Sequence, residues 1–76
     1  MDIFETIKTA INESPRNDYT AELHLQIIKF SEQLAGLTAK EFCQRLEIAP
    51  SYGTEFSKMI KIAPRLRQAG LNPEKI

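Results

Sequence analysis

The chain has 76 residues, 42% apolar and 26% charged, an ordinary globular composition; so short a chain buries only roughly 60–65% of its unfolded surface, which favours one domain over 1–76 and disfavours an enzyme's deep cleft. Its lone cysteine, Cys43, forms no intramolecular disulfide, no apolar run approaches a spanning helix, and the start Met1-Asp2-Ile3-Phe4-Glu5 is acidic where a secretory leader is basic, so a natural N-terminus and a reducing, cytoplasmic location are expected. The net charge of zero is unevenly distributed: residues 1–37 hold three bases and six acids, residues 38–76 hold seven and four, and from Lys58 to Arg67 there are four bases and no acid.

Apolar residues recur at three- and four-residue steps with no alternating β-branched run, so the fold class is all-α, a small domain of four to five helices. The first helix carries Ile3, Phe4, Ile7, Ala10 and Ile11 as its apolar stripe. Asp2 is its N-cap, and it stops at Ser14 because Pro15 disfavours helical geometry in the preceding residue. Arg16-Asn17-Asp18 reads as a loop. The second helix, the longest, starts at a cap from Asp18 or Thr20 and places Leu23, Ile27, Phe30 and Leu34 at core spacing, with Leu25 and Ile28 widening the stripe. Gly36 is expected to end it as a left-handed cap.

Thr38 and Glu41 have the spacing of a capping box, flanked by Leu37 and Phe42 at the positions of a hydrophobic staple. A short third helix therefore runs from about Ala39 to Glu47 and buries Phe42, Cys43 and Leu46. After Ile48-Ala49-Pro50 comes Ser51-Tyr52-Gly53-Thr54, rich in turn and cap residues, and then a helix with Phe56, Met59, Ile60 and Ala63 on one face. Pro64 ends this helix near Ile62 or kinks it, and a last short helix follows through Leu66 to Ala69, closed by Gly70. Asn72 to Ile76 reads as a frayed tail.

A short capped helix, a tight connection and a second helix with exposed basic residues form the arrangement of a helix-turn-helix unit, here at about 38–62. The stretch LTAKEFCQRLEIAPSYGTEFSKMIKI resembles the DNA-binding helix-turn-helix superfamily, without pointing to a particular family within it. The resemblance rests on the capped Thr38, on Phe42, Leu46 and Ile48, on the small Cys43, and on Phe56, Met59 and Ile60. Two features depart from it: Glu47 stands where a glycine usually follows the first helix, and the connection is about three residues longer.

The resemblance implies a small double-stranded DNA-binding protein, a transcriptional regulator, whose recognition helix follows residue 51. Ser51, Tyr52, Thr54, Glu55 and Lys58 then face base edges or adjacent phosphates. Lys58, Lys61, Arg65 and Arg67 neutralise the backbone, and Lys40 and Arg45 brace flanking phosphates. Glu55 has a possible partner in Lys58, whereas no acid is expected opposite Lys61, Arg65 and Arg67. Tyr52 either contacts DNA or packs over the connection. The competing reading is a helical interaction module, an adaptor or an antitoxin-like or inhibitor-like protein, docking an acidic partner through the same basic segment. A homodimer or a protein partner through the N-terminal helices is a further expectation, against the simpler reading that Ile3, Ile7 and Ile11 close the core.

No cofactor or metal is expected. His24 is the only histidine and reads as a partly exposed surface imidazole, with no second ligand at metal spacing. Cys43 reads as a small buried hydrophobe. Gly36, Gly53 and Gly70 lie too far apart for a phosphate-cradling loop. With no nucleophile beside a base, catalysis is not expected.

Overall fold

In the computed structural model, which describes residues 2–76, the first helix, α1 (Ile3–Glu13), starts where Asp2 Oδ1 accepts a hydrogen bond from the Phe4 amide at 3.0 Å. The reading of Met1 as a natural N-terminus lies outside the described residues. Ser14 is extended ahead of Pro15 and ends the helix, as expected. Phe4, Ile7 and Ile11 are buried. These three residues of the α1 stripe therefore close the core, with Ile3 partly buried at its edge. Arg16–Asp18, read as a loop, is a single 3-10 turn that runs directly into α2 (Tyr19–Lys29). Neither expected cap operates: Asp18 makes no side-chain cap bond, and Thr20 is already inside the helix.

The expected long second helix is two helices. Phe30 leaves helical geometry at φ −103°, ψ 19°, and α3 (Ser31–Leu34) follows. Both residues just after the break, Ser31 and Glu32, are bonded by Arg67. Gly36 is no left-handed cap; the described residues with positive φ are Glu47 and Gly70. The chain leaves α3 instead through a turn closed by the Leu37 amide on the Leu34 carbonyl at 3.0 Å. Leu25, expected to widen the core stripe of α2, is exposed, whereas Ile28 is buried.

Helix α4 (Ala39–Leu46) begins at the expected capping box: Thr38 Oγ1 accepts from the Glu41 amide and Glu41 Oε1 from the Thr38 amide, both at 3.1 Å. These bonds hold the Glu41 carboxyl below its ordinary range. Phe42, Cys43 and Leu46 are buried, and Leu37 packs on the same core.

Helix α5 (Gly53–Gln68) follows a 3-10 turn at Pro50–Tyr52 and passes straight through Pro64. This corrects the expectation of a break there. Proline inside a helix costs about 3 kcal/mol through its missing amide and its ring clash. Packing on both sides of it offsets that cost: Ala63 is fully buried, and Arg67, one turn on, is anchored to α3. The helix ends at Gly70, at φ 110°, where the Leu71 amide bonds the Leu66 carbonyl at 3.0 Å and the Gly70 amide the Arg67 carbonyl at 3.1 Å. This is a Schellman closure, for which the left-handed glycine is suited. The tail is docked rather than frayed: Asn72 caps a turn at Pro73–Lys75, and Lys29 Nζ donates to the Ile76 carbonyl at 3.1 Å.

One core joins the helices, with Ile7, Leu23, Ile27, Leu34 and Phe42 fully buried. Within it Phe42 of α4 and Phe56 of α5 stack with ring centroids 4.4 Å apart. Helices α2 and α5 run in the same direction, since His24 meets Glu55 and Ser31 meets Arg67.

Thr38→Ala is expected to lower stability by about 0.5–2 kcal/mol in urea denaturation, and Glu41→Ala to add less than its own single effect when combined with it, because both serve one box. Full additivity would show that the two bonds act independently.

Candidate nucleic-acid interface

The geometry of the α4–α5 unit is set by small residues and aromatic packing. A Cβ on Gly53 would stand 3.2 Å from Ala39 Cβ, so the start of α5 is seated against the start of α4. The stacked Phe42 and Phe56 hold the two helices further along.

Between the helices, Glu47 adopts φ 58°, ψ 41°. The residue found where the superfamily usually has glycine thus takes the left-handed backbone that glycine would supply. The Ile48 amide bonds the Cys43 carbonyl at 3.1 Å and the Glu47 amide the Gln44 carbonyl at 3.2 Å, a second Schellman closure. A side chain with a Cβ is disfavoured in this conformation. Glu47 is tied down by Lys8 of α1, whose Nζ donates to Glu47 Oε1 at 2.7 Å. The bond holds the Glu47 carboxyl below its usual range and raises the Lys8 ammonium. The closure turns Ile48 toward the core.

From this base α5 presents one outward row. Thr54, Lys58, Lys61, Arg65 and Gln68 recur at steps of four and three, which places them on a single helix face, and all five are exposed. From Thr54 to Arg65 the row is roughly 16 Å long at the helical rise. Ile62, 44% exposed, adjoins Lys58, Lys61 and Arg65. Ser51 is exposed in the turn before α5, where its carbonyl accepts from Thr54 Oγ1 at 3.1 Å, and Lys40 is exposed on α4.

The other residues singled out from the sequence are bound elsewhere. Arg67 bonds Ser31 Oγ at 2.8 Å and pairs with Glu32, which corrects the expectation that it faces no acid. It continues the inner row Phe56, Ile60 and Ala63 by one further step of four, and that spacing was the signal for its inward position. Glu55 is half-buried, with Oε1 3.2 Å from His24 Nε2 and Oε2 3.6 Å from Lys58 Nζ; the carboxylate is turned toward α2 rather than along the outward row. Tyr52 packs against Tyr19 at 5.7 Å between centroids, and burial pushes the Tyr19 hydroxyl up. Arg45 is exposed but lies 4.1 Å over the Phe4 ring. His24 was legible as a partly exposed imidazole; its partner, 31 positions away, was not.

Cys43 is buried, which pushes its thiol up and away from the reactive thiolate. Among the described residues no cluster of three His, Cys, Asp or Glu side chains is placed to hold a metal, and no helix is long and apolar enough to cross a membrane.

A family model described as an HTH-like domain matches residues 1–69, a span that takes in α1 to α5. No curated protein and no solved structure matches the chain.

Lys8→Ala is expected to lower the melting temperature, because it removes the partner that holds the left-handed Glu47 in place. In a Glu47→Gly background the same change is expected to be neutral. Glu47, with its lowered pKa, contributes stability above the ordinary carboxylate range and loses it as pH falls through the lowered value; Lys8, with its raised pKa, contributes below its ordinary value and loses it as pH rises through the raised one. The Lys8→Ala effect should therefore fade at both acidic and alkaline extremes in melts across pH. An effect unchanged by pH, or equal in both backgrounds, would mean that Lys8 acts through another contact.

Proposed function

The chain belongs to the HTH-like domain family, and from that premise we propose that it binds double-stranded DNA through the outward face of α5, as a small cytoplasmic transcriptional regulator. The observation that carries this reading is the exposed row Thr54–Lys58–Lys61–Arg65, in which no acid stands. Lys58, Lys61 and Arg65 neutralise phosphates, with Lys40 of α4 as a flanking contact. Ser51 and Thr54, at the leading end of α5, carry hydroxyls that bond either base edges or phosphate. Arg67 and Tyr52 are packed behind this face, Glu55 is held toward α2 and Arg45 lies over Phe4, which leaves the contact itself to the row.

One recognition helix addresses one half-site, so tight binding to an operator calls for a second copy or a protein partner. A second reading, docking of an acidic protein, draws on Ile62, an exposed apolar side chain among three cations. Such a pattern suits an anchor within a charged rim. The two readings separate by salt and by ligand.

Anisotropy titration of a random duplex is expected to show binding near about 50 mM salt, with log affinity falling against log salt at a slope of about −3 to −4 for four phosphate contacts. The combined substitution Lys58→Ala, Lys61→Ala, Arg65→Ala should reduce the slope to about −1. Thr54→Ala should instead change the preference among sequences while leaving the slope in place. No duplex binding at low salt would overturn the DNA reading in favour of the acidic protein partner.

A further inference from the structure

The one acid on the leading half of α5 sits one residue from the head of the basic row. Glu55 adjoins Thr54 in sequence and lies one turn before Lys58, and its Oε2 is 3.6 Å from Lys58 Nζ. A carboxylate free to swing outward there would face the same phosphates that Lys58 is placed to meet, and would also remain the lysine's competing partner. His24 opposes both: from α2 its Nε2 donates to Glu55 Oε1 at 3.2 Å, and the two side chains are 30% and 25% exposed. The contact is a cross-link between α2 and the start of α5, the helix that carries the row.

We propose that His24 is a positioning residue for nucleic-acid binding, holding the Glu55 carboxylate against α2 so that Lys58 is released to phosphate. The inference rests on the DNA reading and deepens it. When Lys58 moves to a phosphate, Glu55 loses one of its two partners, and His24 keeps the remaining charge turned away from the duplex. His24 itself touches no DNA. Its effect on binding exists only while position 55 carries a negative charge.

The test is a double-mutant cycle read by duplex affinity at fixed pH and salt, with thermal melts confirming that each variant is folded. His24→Ala should weaken binding by about 3- to 10-fold, as expected of a local change in interface charge. His24→Gln, which keeps an N–H donor toward Glu55, should recover most of that loss. Glu55→Gln should bind at least as tightly as the wild type, and adding His24→Ala to it should change nothing further. An equal loss from His24→Ala in both backgrounds, or no loss in either, would overturn the inference while leaving DNA binding standing. Absence of binding by the unsubstituted protein would overturn the DNA reading and this inference together.

Discussion

The stack of Phe42 on Phe56 is the constraint on which the rest of the arrangement depends. It joins α4 to α5 within the shared core, and such a pair contributes about 0.5–1.5 kcal/mol beyond the burial of its area. With the two rings in register, the start of α5 is pressed against Ala39 at a spacing that only a glycine at position 53 meets without displacement. The connection must then double back within six residues, which is why residue 47 takes a left-handed backbone. Lys8 reaches across from α1 to hold that residue, so α1 supports the connection as well as the core.

Fixing α5 by its inner face decides which of its charges are free. Phe56, Ala63 and Arg67 point inward, where Arg67 closes the far end of α5 onto α3; Thr54, Lys58, Lys61 and Arg65 point outward. The positive charge of α5 is thus divided by helical phase into one structural arginine and an outward row of three cations, of which Lys58 also pairs with Glu55. Arg45 is likewise committed, stacked over Phe4. A basic run in sequence overstates the basic surface by whatever the fold consumes.

What was legible in the sequence was local. The Asp2 cap, the Thr38–Glu41 box and the Gly70 closure each depend on residues within a few positions of one another, and each stands where the pattern places it. The core of α4 and the inner face of α5 followed from spacing alone. What was not legible depends on partners distant in the chain. Pro64 inside α5 is tolerated because α3 anchors the turn beyond it. The break at Phe30 adjoins residues gripped by Arg67 from 36 positions away. Glu47 replaces glycine where Lys8, 39 positions earlier, holds it. Local propensity argued against all three, and tertiary contacts outweighed it.

The claim that unites fold and function is that the outward row of α5 is the contact face. Amide NMR of the labelled protein during titration with a short duplex tests it directly. Shifts at low salt should gather on Ser51, Thr54, Lys58, Lys61 and Arg65, with Lys40 at the edge, and should leave the outer face of α1 unmoved. Shifts centred on α1 and α2, or none along α5, would contradict it.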